Sequence, residues 1–230
     1  MIYNWRPEVE PINQVFIAGG TSIDGGITTG GISVQSPEPG GRAELRMDFV
    51  QFANESTNLE ASWTISRILN GNVMRVPLYS PSVQLISNET LGITGTEEIL
   101  WANGFPWANG LGWASRPGAP ITTGGDEGDT TFTADTTGIL NSIQRGHVLG
   151  FCIGGYDWAC IVMDVSYNAS GTRASCTVEP PLRRAVTTSD RVLFRPKMLV
   201  TCVNARDVAG NFRLGRVMQL NSARLVEFLL

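Results

Sequence analysis

Hydrophobic and polar positions alternate along residues 42–49. Ala43, Leu45, Met47 and Phe49 fall on one face, and Glu44, Arg46 and Asp48 on the other. A period of two sends successive side chains to opposite sides of a strand. The segment therefore predicts a strand with one side on a core and the other facing water or a partner. The period then changes. Asn54 or Ser56 can cap a helix running through Leu69. Leu59 and Trp63 sit four apart, and Ile65, Ile68 and Leu69 extend that apolar side. Asn70-Gly71 suits the left-handed helix terminus, and residues 73–79 return as a strand. One helix of about three turns flanked by strands predicts a sheet closed or covered by that helix.

A second patterned region spans residues 145–196. Residues 147–151 are an apolar run, and 159–167 are rich in strand formers. Asn168-Ala169-Ser170-Gly171 marks a turn, since Asn and Gly tolerate positive φ. Residues 172–178 alternate again. Pro180 and Pro181 have no N–H to donate and end the ladder. A polar connection over 185–190 leads to a short strand at 191–194. Residues 199–204 and 215–230 supply closing strands. Leu225-Val226-Glu227-Phe228-Leu229-Leu230 is apolar enough to require pairing in a sheet or a subunit contact. Residues 116–129 are Gly, Pro, Thr and acid, and read as a loop or linker.

Residues 1–40 read as a glycine-studded arm with a short apolar strand at 15–18. The doublets Gly19-Gly20, Gly25-Gly26 and Gly30-Gly31 look like turns between extended pieces. A phosphate loop of the P-loop type needs Lys-Ser or Lys-Thr, and no lysine lies there. A long arm on a globular body is suited to docking on a neighbouring subunit.

The unit Gly171-Thr172-Arg173, Val178-Glu179-Pro180-Pro181-Leu182-Arg183-Arg184-Ala185-Val186 and Asp190-Arg191-Val192-Leu193-Phe194-Arg195-Pro196 resembles a pattern in minor tail proteins of long-tailed bacteriophages. Residues 42–79 resemble the strand–helix–strand of tail-tube-like proteins, including distal tail proteins. Together these resemblances cover about half of the chain. They imply a mainly β protein with one principal helix, a tail-tube-like split β-barrel carrying an inserted small β-domain. The barrel would comprise residues 1–95 and 197–230 with the N-terminal arm. A Trp-rich connection would occupy 96–114 and the inserted β-domain 115–196, because the chain returns to apolar strands after Pro196. The implied function is a structural virion protein of the tail tip, assembled in the host cytoplasm. It would form a homo-oligomeric ring, sixfold by resemblance, joining the tail tube protein to the baseplate hub proteins.

Composition narrows the alternatives. A chain of 230 residues can bury one good core or two small domains sharing an interface. Its 26 glycines are scattered, which suits many turns and argues against collagen. Seventeen basic against 21 acidic residues leave a net charge of −4, so counterion release gives no gain on a polyphosphate. Sequence-specific nucleic acid is not an expected partner. Arg183, Arg184, Arg191 and Arg195 cluster in sequence and read as a solvated or subunit-pairing surface. Residues 1–7 lack secretory-signal features, and no apolar run of about 18 residues predicts a membrane helix.

The chemistry-bearing residues are sparse. Cys152, Cys160, Cys176 and Cys202 show no C-x-x-C spacing, and His147 is the sole histidine. Free buried thiols are expected rather than zinc ligands. Cys152 and Cys160 flank a turn and are placed to face each other across a hairpin. A disulfide there needs an oxidising medium and is not required by the spacing. His147 reads as a hydrogen-bonded strand residue. Glu97-Glu98 and the Asp126, Glu127, Asp129 cluster supply carboxylates, but among Thr and Gly they read as solvated loop acids, with weak calcium binding the sharper alternative. Sequons begin at Asn54, Asn88 and Asn168. Hence no catalytic residue, metal or cofactor is expected, and the chain reads as a non-enzyme. A rival function rests on Trp101, Trp107 and Trp113, six apart and separated by Asn-Gly and Pro turns. Aromatic faces stack on sugar rings, so a carbohydrate-binding or host-adhesion module is the alternative. Packing of these rings onto the body or a neighbour is favoured.

Overall fold

The computed structural model describes residues 1–19, 22–27, 33–37, 41–49, 51–52, 55–79, 85–86, 98–99, 113–114, 118–139, 142–208, 212–213 and 217–229. The chain begins with β1 (Ile2–Asn4), β2 (Asn13–Ile17), β3 (Ser22–Ile27), β4 (Ser33–Pro37) and β5 (Glu44–Asp48). Then come β6 (Gln51–Phe52), helix α1 (Glu55–Leu69) and β7 (Val73–Pro77). Two short strands, β8 (Glu98–Ile99) and β9 (Trp113–Ala114), pair with each other. They precede β10 (Gly118–Thr123), β11 (Thr131–Asp135), β12 (Val148–Ile153), β13 (Tyr156–Tyr167), β14 (Arg173–Glu179) and β15 (Arg191–Leu193). The chain ends with β16 (Lys197–Cys202), the short α2 (Ala205–Val208), β17 (Phe212–Arg213), β18 (Val217–Gln219) and β19 (Ala223–Glu227). The protein is thus mainly β with one principal helix.

Two bodies of strands carry the core. The first is a six-stranded sheet in the order β1-β7-β16-β19-β5-β2, drawn from both ends of the sequence. Only β1–β7 is parallel. The second is a closed ring, β10-β11-β14-β13-β12-β15, in which β15 pairs with both β10 and β12. The last strand, β19, pairs with β5 and β16.

The alternation expected over 42–49 is present in part: Ala43, Leu45 and Met47 are fully buried and Arg46 is exposed, but Glu44, expected on the outer face, is buried and paired with Arg46 and Arg224. Helix α1 packs on this sheet through Ala61, Thr64, Ile65 and Ile68, a stripe at the i, i+3, i+4, i+7 spacing. That stripe keeps Ile65 and Ile68 of the expected side and corrects Leu59 and Leu69. Leu59 is 67% and Leu69 48% exposed. Leu59 lies two residues before Ala61, about 200° round the helix, so four-residue spacing to Trp63 selected a flank and not the buried side. The helix stops in a Schellman arrangement. Gly71 at φ 69° donates to Ile68 O, and Asn72 N donates to Arg67 O.

The amino-terminal segment agrees with expectation in one place and departs from it elsewhere. The strand expected at 15–18 is present as β2, but residues 2–4 are also a sheet strand, and Trp5 and Val9 lie in the core, with Trp5 Nε1 donating to Val9 O at 2.8 Å. An apolar ring and a buried Val outweigh the glycine content in deciding where this segment goes. Gln14 on β2 is fully buried. Its Nε2 donates to Pro77 O at 3.1 Å and its Oε1 accepts from Tyr79 N at 2.6 Å. The sheet therefore curls until its β2 edge meets the end of β7, and one side-chain amide bridges the gap as a strand would.

In the ring, Gly154 and Gly155 (φ 59° and 81°) form the two-residue turn between β12 and β13, a turn that requires positive φ at both positions. This turn sets the register, and it corrects the cysteine expectation. Cys152 lies opposite Asp157 and Cys160 opposite Leu149, so the two thiols do not face each other. Phe151 stacks on Trp158 with ring centroids 5.2 Å apart and meets Phe132 edge-on at 5.2 Å. Residues 118–123, expected as linker, form β10. Ala119 and Ile121 point inward, and Pro120, which has no N–H to donate, occupies an exposed position. Ring and sheet share apolar packing: Val148 and Ala159 join the sheet's cluster, and Val73 and Leu199 join the ring's.

The corrected helix register has a direct consequence for stability. Ile65→Ala is expected to cost about 2–5 kcal/mol in urea unfolding, whereas Leu69→Ala should stay within about 1 kcal/mol. Equal losses would contradict the observed stripe.

Candidate functional site: the seam between sheet and ring

Glu227 sits at the end of β19 with no exposed side-chain surface. Burying a carboxylate is costly unless its oxygens are fully bonded, and here they are. Arg183 Nε donates to Oε1 at 3.0 Å and its NH2 group to Oε2 at 2.7 Å, a forked geometry suited to guanidinium. Ala43 N donates to Oε2 at 3.0 Å, and Tyr156 OH reaches Oε1 at 3.5 Å. Arg183 also donates to Gly41 O at 2.7 Å. The Glu179-Pro180-Pro181-Leu182-Arg183-Arg184 corner is thus the device that delivers Arg183 from the ring to the sheet. Burial, and next the Glu227 charge, push the Tyr156 phenol well above its usual range, so it stays a neutral donor.

A second ion pair crosses the same seam. Arg75 on β7 meets Asp157 at 2.6 Å and donates to Gly155 O at 3.0 Å, with the Asp157 side chain only 4% exposed. The arginines that cluster in sequence do not form one patch. Arg183 is spent on Glu227, and Arg184 lies over the Tyr156 ring at 5.3 Å. Arg191 donates to Gly118 O at 2.6 Å and Arg195 to Ile86 O at 2.8 Å. The expected solvated or subunit-pairing surface is corrected for half-buried Arg183, Arg184 and Arg195, which make ties within the chain, while Arg191 is exposed as expected. Arginine spacing alone gave no hint of this; a Glu buried in an apolar carboxy-terminal run was the available signal.

Other sequence-singled residues are dispersed. No disulfide joins any of the four cysteines. Cys160 and Cys176 are buried in the ring, and burial pushes the Cys176 thiol up to about 12 and Cys160 further, which disfavours thiolate. His147 precedes β12, where its Nδ1 accepts from Gln144 N at 3.1 Å, and burial lowers its pKa. Asp126, Glu127 and Asp129 are exposed on the β10–β11 turn, and Asp129 Oδ2 accepts from Asp126 N at 2.8 Å. Among the described residues no three His, Cys, Asp or Glu side chains are grouped to hold a metal. Asn54, Asn88, Glu97, Trp101 and Trp107 lie outside the described residues. Trp113 and Glu98 are described as backbone only, in β9 and β8. Asn168 is exposed in the β13–β14 turn.

No protein-family model matches the chain, and no curated protein matches it.

The seam and the histidine each yield an expected outcome. Arg183→Met leaves Glu227 buried and uncompensated and should lose about 3–5 kcal/mol of stability, with the Arg183→Met, Glu227→Leu double variant recovering most of it. Denaturant unfolding reads both; a single-variant loss under about 1 kcal/mol would place the pair with ordinary surface bridges. The sole imidazole should titrate below 6.5 by NMR. Because the folded pKa is depressed, the stability from keeping His147 neutral is complete above 6.5 and is lost as pH falls through the folded value. A midpoint at or above 6.5 would contradict the burial.

Proposed function

We propose that this chain is a structural, non-catalytic virion protein of a phage tail tip, a distal-tail-like ring that joins tail tube to baseplate hub. The observation that carries the proposal is the β3–β4 ladder. It lies in sequence between β2 and β5, which pair with each other, and β3 and β4 pair with no further strand among the described residues. A two-stranded hairpin is marginal in water without a third strand or a packed face, and a neighbouring copy supplies one. On β2, Val15 is 42% and Ile17 37% exposed, with Ile12 beside them at 60%. That row of apolar side chains is suited to a subunit contact.

The finer architecture follows the same reading. The curled six-stranded sheet, bridged at its gap by Gln14, is read as the tail-tube-like split barrel, and the ring of residues 118–193 as the inserted domain. Contacts between unlike patches of successive copies close into a ring when the rotation permits. The sixfold number comes from the resemblance in residues 42–79 and 171–196. An acidic inner surface, compatible with a net charge of −4, would let DNA pass without adhering.

Negative-stain imaging with mass photometry of the purified protein tests the proposal. Closed rings are expected, and a variant with residues 22–37 replaced by a short Gly-Ser linker should remain folded but monomeric. A wild-type protein that stays monomeric at about 100 μM, well above the dissociation constant of a micromolar contact, would overturn it.

A further inference from the structure

One surface outside the seam combines two stacked cations with an exposed apolar group, and only one of the two cations has a balancing acid among the described residues. Tyr3 on β1 meets Trp63 on α1 edge-on, with ring centroids 5.7 Å apart. Two guanidiniums stack against this pair. Arg6 lies 4.3 Å from the Trp63 centroid, and Arg67 lies 4.6 Å from Tyr3 and 5.4 Å from Trp63. Arg6 is balanced by Glu60 at 3.0 Å. Arg67 has no carboxylate partner among the described residues, and its buried Nε finds no acceptor there. Leu59, one turn before Trp63 on α1, is 67% exposed. Trp, Tyr and Arg are the residue types that dominate protein interfaces, and a guanidinium held by stacking has little freedom left to lose on binding.

Charge selects the occupant. The described residues include one exposed turn with three carboxylates in four positions, Asp126-Glu127-Gly128-Asp129 between β10 and β11, and none of the three has an ion-pair partner among the described residues. We infer that the stacked Arg67 surface formed by Tyr3, Arg6, Trp63 and α1 docks the acidic 126–129 turn of a second copy of this chain. The two patches sit on different elements of the fold, so the contact is heterologous and propagates from copy to copy. It also relieves the self-repulsion that a net charge of −4 per copy imposes on assembly. This inference rests on the self-associating reading above and names one contact within it.

Charge reversal separates the two ideas. Arg67→Glu and Glu127→Arg each alter a side chain at the surface, and circular dichroism checks that both variants fold. Each alone should weaken self-association by about tenfold or more, as loss of a central interface arginine does. The Arg67→Glu, Glu127→Arg double variant should return to within about threefold of wild type, which only a direct pairing produces. Analytical ultracentrifugation over a concentration series reads all four proteins. Rings that persist unchanged in either single variant, or a double variant no better than the singles, overturn this contact while leaving the assembly itself intact. A monomeric wild type overturns both.

Discussion

A buried carboxylate has to be answered, and in this protein the answer comes from the other body of the fold. Glu227 ends the closing strand of the sheet, and Arg183 leaves the corner of the ring. Neither residue can reach its place unless sheet and ring are docked. Without Arg183 the carboxylate would be stranded in an apolar setting, so the pair punishes every arrangement in which the two bodies separate. Arg75 and Asp157 impose the same condition a short distance along the seam. Apolar packing of Val148, Ala159, Val73 and Leu199 supplies the attraction. The ion pairs supply the exact placement that a greasy contact lacks.

That docking leaves several apolar side chains at the surface. The helix covers the sheet's core with Ala61, Thr64, Ile65 and Ile68, which turns Leu59 and Leu69 outward. Curling of the sheet brings β2 against the end of β7 and exposes Val15 and Ile17. Exposure of these groups is costly for an isolated molecule and useful for one that assembles. The same holds for the β3–β4 ladder, whose two strands satisfy each other and nothing else among the described residues.

Legibility followed the range of the forces involved. The strand at Ala43, Leu45 and Met47, the turn at Asn168–Gly171 and the break at Pro180-Pro181 were readable because a period of two, a positive φ and a missing N–H act within a few residues. The fates of Leu59, Pro120 and the Cys152–Cys160 pair were not. Leu59 looked like core because its four-residue neighbour is Trp63, yet the sheet selected the stripe two residues on. Pro120 looked like linker until Ala119 and Ile121 found β15 and β11 to bury them. Cys152 missed Cys160 because a two-residue glycine turn sets the register, and register cannot be seen from spacing.

Local chemistry therefore decided which segments extend, coil or turn, and composition decided that the chain is acidic, glycine-rich and holds a single histidine. Placement of the charges was settled elsewhere. Arg183, Arg184, Arg191 and Arg195 looked like one basic cluster along the chain, and became four separate ties once strands distant in sequence came together. Glu227 looked like a polar interruption in an apolar tail, and became the anchor of the seam. The reason is that a charge's energy depends on which partner stands within about 3 Å of it, and for these residues that partner lies far away along the sequence.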